Sequence, residues 1–291
     1  MKRLENRIAL VTGGSRNTGL EIVARLLNEG ARVFFCGTTE VSIAKGAAEL
    51  RRRGLSGFTP LVCDVGKTSD VTAMIDAIER EAGRLDAVVT NAANLGQGEP
   101  AAPEVDEAAF LDVLNVNLGG TLRVVQQAAT RFFLRQAPNP ATGQRGAVVC
   151  IGSNTAQHVQ RRHVSYCTSK GGLESLVKCL ALDLGPRGIR VNLLEPGYIW
   201  TERWHDLPEA VRRKRRANTL TGREATGGDV ASAAAFLLSD EARAFQGAVL
   251  KMDAGATVAL YPAYAEDSVP LPAEWKEAED YSGAVSLEET R

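Results

Sequence analysis

The sequence predicts an α/β fold in which a doubly wound, seven-stranded parallel sheet carries helices on both faces. Three observations support this. Seven short apolar runs alternate along the chain with helical patterns, the order expected of repeated strand–helix–strand units. The runs are continuously apolar and do not alternate with polar residues, so both faces of the sheet should be covered. A chain of 291 residues, 44% apolar and 24% charged with 28 glycines, also suits one large α/β domain better than two small ones.

The first strand, 7–12, is read from Arg7-Ile8-Ala9-Leu10-Val11, and the spacing of Leu20, Ile22, Val23, Leu26 and Leu27 predicts a helix over 18–29. A second strand at 31–37 leads to a helix at 41–53, and a third at 58–63 to a helix at 68–82. The fourth strand, 85–90, precedes a long helical pattern over 104–136. The turn-rich Pro138-Asn139-Pro140-Ala141-Thr142-Gly143 separates that helix from the fifth strand, 146–152. A helix at 164–184, a strand at 188–194, a helix at 228–238 and a strand at 247–252 complete the alternation, and no internal repeat is present. In such a sheet the ligand site lies along the carboxyl ends of the strands.

Two clusters of residues carry chemistry. The first strand runs into Thr12-Gly13-Gly14-Ser15-Arg16-Asn17-Thr18-Gly19 and then into a helix. A strand, a glycine-rich turn and a helix N-terminus make a phosphate cradle, with backbone N–H groups aimed at a pyrophosphate. In the helix at 164–184, Tyr166 and Lys170 stand four residues apart and share one face, with Ser153 thirteen residues before the Tyr at the end of the fifth strand. An ammonium beside a phenol favours its anion, the chemistry of a proton donor working near neutral pH. Taken alone, Tyr-x-x-x-Lys is common on helices as an exposed aromatic one turn from a cation, and it gains weight here from the cradle at the other end of the chain.

With both clusters in view, the chain resembles the short-chain dehydrogenase/reductase family over about residues 5 to 255, in the branch whose glycine motif is Thr-Gly-x-x-x-Gly-x-Gly. Further matches follow in the family's order: Asp64-Val65 after the third strand, Asn91-Ala92 after the fourth, Asn117 within Asn115-Val116-Asn117-Leu118, and Pro196-Gly197 ahead of Ile199-Trp200-Thr201. Met252-Asp253-Ala254-Gly255 is similar to the family's closing strand. The resemblance implies a single Rossmann-fold catalytic domain at 1–255, with a flap at about 196–222. It implies an oxidoreductase that moves a hydride between a nicotinamide and a carbonyl or secondary alcohol. Tyr166 would then give or take the proton, Lys170 would lower the phenol's pKa and hold the nicotinamide ribose, Ser153 would position the reacting oxygen, and Asn117 would support a water chain to solvent. Cofactor contacts are implied for Gly13, Ser15, Arg16, Asn17, Thr18, Gly19, Thr38, Asp64, Val65, Asn91, Ala92, Tyr166, Lys170, Pro196, Gly197, Ile199 and Thr201. The alternative from another class is a non-catalytic dinucleotide-binding sensor or scaffold on the same fold. Altered glycines favour it slightly, and the complete set of Ser153, Tyr166, Lys170 and Asn117 opposes it.

Two departures from the family pattern bear on the cofactor. Asn17 stands at the middle glycine, and Thr90-Asn91-Ala92-Ala93 replaces Asn-Asn-Ala-Gly. Asn tolerates positive φ, so the turn can survive, although its side chain enters space near the pyrophosphate. The second strand ends in Cys36-Gly37-Thr38-Thr39 with no carboxylate before Glu40, whereas the resemblance places there an acid that holds the adenosine ribose of NAD. Nothing obvious repels a 2′-phosphate, and Arg16 with Thr38 or Thr39 offers charge and hydrogen bonds. NADP(H) is therefore expected over NAD(H), the plain alternative being a solvated Arg16 and an enzyme that accepts both.

The remaining features are read blandly. The five cysteines lack metal-ligand spacing, as do His158 and His163, so no metal is expected; Cys167 is read as buried filler. The N-terminus reaches its first strand within about seven residues without an apolar stretch of signal or membrane length, so a cytoplasmic protein with reduced thiols and no membrane partner is expected. Arg212-Arg213-Lys214-Arg215-Arg216 is read as a solvated helix face, not a nucleic-acid patch. Trp200 and Trp204 either wall the pocket or pack the flap. The expected partners are a small-molecule carbonyl or alcohol substrate and further copies of the chain, as a tetramer or dimer. The segment 256–291 sets eight acids against Lys276 and Arg291 yet holds Tyr261, Tyr264, Trp275 and Tyr281. It is expected to pack across a basic surface of its own or a neighbouring subunit, with disorder over its last fifteen or so residues the competing expectation.

Overall fold

In the computed structural model of the protein, which describes residues 2–201, 204 and 206–258, the seven apolar runs form one parallel sheet. Its strands are β1 (Ile8–Thr12), β2 (Arg32–Gly37), β3 (Phe58–Val62), β4 (Ala87–Thr90), β5 (Gly146–Ile151) and β6 (Ile189–Pro196). Two short strands, β7 (Ile199–Trp200) and β8 (Ala225–Thr226), pair with each other, and β9 (Val249–Met252) closes the main sheet. The order β3-β2-β1-β4-β5-β6-β9 reverses direction between β1 and β4, and that switch point opens a crevice at the carboxyl ends of the strands. The aromatic acidic segment from Tyr261 onward lies outside the described residues.

Burial on both faces explains the unbroken apolar strands. Neighbouring residues on a strand point to opposite faces, so Leu10 and Val11, Phe34 and Phe35, and Val148 and Val149 divide between two cores. Val11, Phe35 and Val149 meet Ile22 and Val23 of α1 (Asn17–Asn28), Leu50 of α2 (Glu40–Arg52) and Val230 of α8 (Gly227–Leu238). Leu10, Phe34 and Val148 meet Ile75 of α3 (Thr68–Ala82), Val125 of α5 (Gly120–Ala128) and Val177 of α6 (Val164–Leu184). Side chains finish several helix ends. The Thr39 hydroxyl accepts from Ser42 N at 3.1 Å to start α2, and Thr226 forms a capping box with Asp229 ahead of α8.

The long helical pattern between β4 and β5 is where local geometry departs from expectation. It is one helical run over 107–133: α4 (Glu107–Leu114), a π-helical turn (Asn115–Gly119), α5, and a second π-helical turn (Ala129–Phe133). A π turn holds one residue more than an α turn, and hydrophobic spacing does not announce it. By length and composition alone this helix could cross a membrane. Here it seals the second core with Val124, Val125, Ala128, Phe132 and Phe133, while Leu111 and Leu122 face outward.

The flap corrects the reading of the basic run. It forms α7 (Glu209–Ala217), but only part of it is a solvated face. The Arg215 guanidinium lies 5.3 Å from the Tyr198 ring centroid and 5.2 Å from that of Trp204, and Arg216 sits 6.0 Å from Trp200 while pairing with Glu224 at 2.9 Å. Planar guanidinium groups stack on aromatic faces with little loss of hydration. Trp204 is buried, edge-on to Tyr198 and 5.4 Å from Trp200, so these rings pack the flap.

Phe133 is fully buried and lies where a Cβ on Gly146 would come within 2.5 Å of its ring. Phe133→Ala should therefore lower the unfolding free energy by about 3–5 kcal/mol, measured by urea denaturation; a loss below about 1 kcal/mol would show that this face of β5 is not tightly packed.

Candidate active site

The turn after β1 is compressed against the end of β4. Gly13 has φ +63°, and a Cβ there would lie 2.8 Å from Ala92 Cα; one on Gly19 would lie 2.1 Å from the Gly13 carbonyl oxygen. Only glycine fits either place. Asn91 braces the turn by donating from Nδ2 to the carbonyls of Thr12 and Gly13 at 3.1 and 3.0 Å. The Thr12 hydroxyl in turn accepts from the N–H groups of Asn91 and Ala92, both at 3.1 Å. Asn17, the replaced glycine, takes φ +47°, so the left-handed conformation survives and its exposed side chain stands at the start of α1. The first turn of α1 carries no acid, leaving the positive end of the helix dipole unopposed.

This turn opens onto a cleft of about 890 Å³ along the carboxyl ends of the strands. Gly13, Ser15, Arg16, Asn17, Thr18 and Gly19 line it from the glycine turn, Thr38 from the end of β2, and Asp64 and Val65 from beyond β3. Asn91 and Ala92 follow β4, Tyr166 and Lys170 come from α6, and Pro196, Gly197, Ile199 and Thr201 come from the end of β6 and the flap. Every residue expected to hold a cofactor thus faces one space, together with Ser153. Among the described lining residues Asp64 is the one acid, whereas Arg16 and Lys170 are cations. A cradle that a Cβ would fill, a helix N-terminus and this charge balance fit an anionic dinucleotide. Thr39 also lines the cleft, but its hydroxyl is occupied as the α2 cap, leaving Thr38 as the freer donor.

At the far end of the cleft, Lys170 is buried, donates from Nζ to the Ile151 carbonyl at 2.7 Å, and lies 5.6 Å from the Tyr166 ring centroid. Burial pushes its pKa down to about 8, opposed by the Cys150 thiol and the Glu195 carboxylate. The half-buried Tyr166 departs from expectation. Burial pushes its pKa up, and the group that pulls it down is Ser153 through a hydrogen bond. The Lys170 ammonium is engaged by the Ile151 carbonyl, so the expected net depression of the phenol is absent in this geometry. Ser153 also opens the short helical turn Asn154–Ala156, accepting from Thr155 N at 3.2 Å and Thr155 Oγ1 at 2.9 Å.

Asn117 stands behind the cleft, on the first π-helical turn. Its Oδ1 accepts from Asn94 N at 2.8 Å, and its Nδ2 donates to Asn94 O at 2.9 Å and to Ser169 Oγ at 2.8 Å. The Ser169 hydroxyl in turn donates to the Tyr166 carbonyl at 2.7 Å. The loop after β4 is thereby tied to the helix that carries Tyr166 and Lys170. A second tie carries no local sequence signal. Glu99 accepts from Ser165 N at 3.1 and 3.2 Å and from the Ser165 hydroxyl, supplying the N-terminal carboxylate that α6 lacks in its own first turn. No His, Cys, Asp and Glu cluster with metal-binding geometry occurs among the described residues. Cys167 is buried, as expected.

Residues 14–257 match the family described as enoyl-(acyl carrier protein) reductase. The chain is 34% identical to D-threitol dehydrogenase of Mycolicibacterium smegmatis, covering 88% of this chain and 95% of that protein. It is 35% identical to L-fucose dehydrogenase of Bos taurus, covering 82% and 85% respectively. Its fold superposes with a TM-score of 0.79 on a gluconate 5-dehydrogenase from Burkholderia cenocepacia solved in complex with NADP and tartrate, at 28% identity over 89% of this chain and 98% of the other.

Because Asn17 already holds the backbone conformation that glycine would take, Asn17→Gly should leave the fold intact and change the NADPH dissociation constant by no more than about tenfold, roughly 1.4 kcal/mol, in a fluorescence titration. Complete loss of binding would mean that the Asn17 side chain is a specific ligand.

Proposed function

The chain belongs to the short-chain dehydrogenase/reductase family, enzymes that act on alcohol and carbonyl groups, and on that premise we propose that it is an NADP(H)-dependent oxidoreductase with Tyr166 as general acid and base. The observation that carries this reading is the convergence of Ser153, Tyr166 and Lys170 on the same cleft as the glycine turn. A bound nicotinamide supplies or accepts the hydride. The rest falls to the chain. In reduction the Tyr166 hydroxyl gives its proton to the oxygen of the carbonyl as that carbon becomes an alcohol; in oxidation the phenolate takes it back. A phenol held neutral by burial suits the donor role. Ser153, which draws the pKa of that phenol down, holds the reacting oxygen against it. Lys170 faces the cofactor space as the ribose ligand, and Asn117 fixes the loop and helix between which a proton leaves for solvent.

NADP(H) is favoured by Arg16 and Thr38, by the absence of an acid at the β2 end of the cleft lining, and by the NADP bound in the gluconate 5-dehydrogenase neighbour. The substrate we infer is a polyhydroxylated alcohol or its carbonyl form. Asn94 and Gln97 offer polar groups on the substrate side of the cleft, and the relatives are named for threitol, fucose and gluconate. Outward-facing Leu111 and Leu122 on the helix between β4 and β5 support assembly into a homo-oligomer, and the five free thiols support a cytoplasmic setting. A sensor or scaffold on this fold would have no need of a proton donor.

Titration with NADPH and NADH, followed by a panel of sugars, polyols and their carbonyl forms read at the nicotinamide absorbance, tests this directly. Tyr166→Phe should lower turnover at least about a hundredfold with NADPH binding retained; near wild-type turnover in the folded variant would remove Tyr166 from the chemistry. Light scattering of the eluting protein should give a mass of two or four chains, and Leu111→Glu combined with Leu122→Glu should reduce it.

A further inference from the structure

Glu195 is the penultimate residue of β6, one before Pro196, and it is fully buried. Its Oε2 accepts a hydrogen bond from Gln157 Nε2 at 3.2 Å, and its Oε1 has no hydrogen-bond partner among the described residues. The backbone beside Ser153 rests on it, since a Cβ on Gly152 would lie 3.1 Å from Glu195 Cγ. Gln157 closes the short turn that Ser153 opens, Asn154–Ala156. One end of that turn is therefore held by β5 and the other by a buried carboxylate. A buried acid with an unmatched oxygen is costly for the fold, and such a group persists where it does something that an apolar residue cannot.

Charged groups surround Glu195 from two elements. α6 brings Lys170, Glu174 and Lys178, the last two paired with each other at 2.6 Å, while β9 and the residue after it bring Lys251 and Asp253. We propose that Glu195 is a positioning residue for the reaction, holding the Ser153 turn through Gln157. This rests on the oxidoreductase reading of the same cleft. Burial and the nearby Glu174 and Asp253 raise the Glu195 pKa to about 7, against the pull of Lys251 and Lys178. Its charge therefore changes within the neutral range. Above that range the carboxylate grips the Gln157 amide; below it, the neutral carboxyl holds that amide less strongly.

The test is the pH profile of kcat/KM from pH 5.5 to 9 for wild type, Glu195→Gln and Gln157→Ala. Glu195→Gln keeps an acceptor for Gln157 but has no charge. It should lack the acid limb that wild type shows near pH 7. Gln157→Ala should lower kcat about tenfold with the NADPH dissociation constant unchanged. A Glu195→Gln profile that superimposes on wild type overturns the proposal. Thermal melts give a readout without turnover. The folded carboxyl has a pKa above its unfolded value, so the folded state binds more protons between about pH 4.5 and 7, and this contribution to wild-type stability falls as pH rises through that window. The melting temperature of Glu195→Gln should accordingly gain on wild type from pH 5 to 7.5, and parallel curves would overturn the assigned titration. If wild type turns over nothing, the oxidoreductase reading fails, while the melts still decide whether Glu195 titrates as placed.

Discussion

The contact between the turn after β1 and the end of β4 governs the rest of the cleft. Gly13 and Ala92 approach so closely that no side chain fits between them, and the Asn91 amide and Thr12 hydroxyl lock that approach with four hydrogen bonds. This lock fixes the direction in which α1 leaves the sheet. With its first turn bare of acids, α1 then points its positive end into the crevice where the strand order reverses. Parallel β1 and β4 are the neighbours at that switch point, so this end of the cleft follows from sheet topology and two small residues.

The other end of the cleft depends on how α6 is held. Its first turn is gripped by Glu99 from the loop after β4, and its second turn by Ser169, which joins Asn117 to the Tyr166 carbonyl. Tyr166 sits between these two ties. Its reach into the cleft is then set by buried hydrogen bonds whose partners come from distant parts of the chain, a network that rigidifies because every member named is satisfied. Lys170 shows the opposing side of burial: the enclosure that orients its ammonium also lowers its pKa to about 8.

Much of this was legible in the chain. Strands buried on both faces must be apolar throughout, and the observed strands differ from the predicted runs by no more than two residues at either end. Ser153, Tyr166, Lys170 and the cradle residues were readable because their chemistry restricts residue type at fixed places relative to strand ends. What could not be read has a common cause. The Glu99 cap acts across 66 residues, and Glu195 and Gln157 meet across 38, so no local pattern marks either. The raised Tyr166 pKa depends on burial and on where the Lys170 ammonium finds its acceptor, neither of which spacing reports. The stacking of Arg215 on Tyr198 and Trp204 likewise appears only once the flap folds back over its own helix.

The π-helical turn at Asn115–Gly119 carries a consequence for how this chain can vary by descent. Substitutions on the outward face, at Leu111 or Leu122, leave the path of the backbone alone. A single-residue deletion within α4 would not: each residue turns an α-helix by about 100°, so the deletion would swing the Asn117 amide out of line with Asn94 and Ser169 unless the bulge were surrendered to absorb it. The bulge is thus a reserve of one residue, and this segment tolerates a change of outward side chain more readily than a change of length.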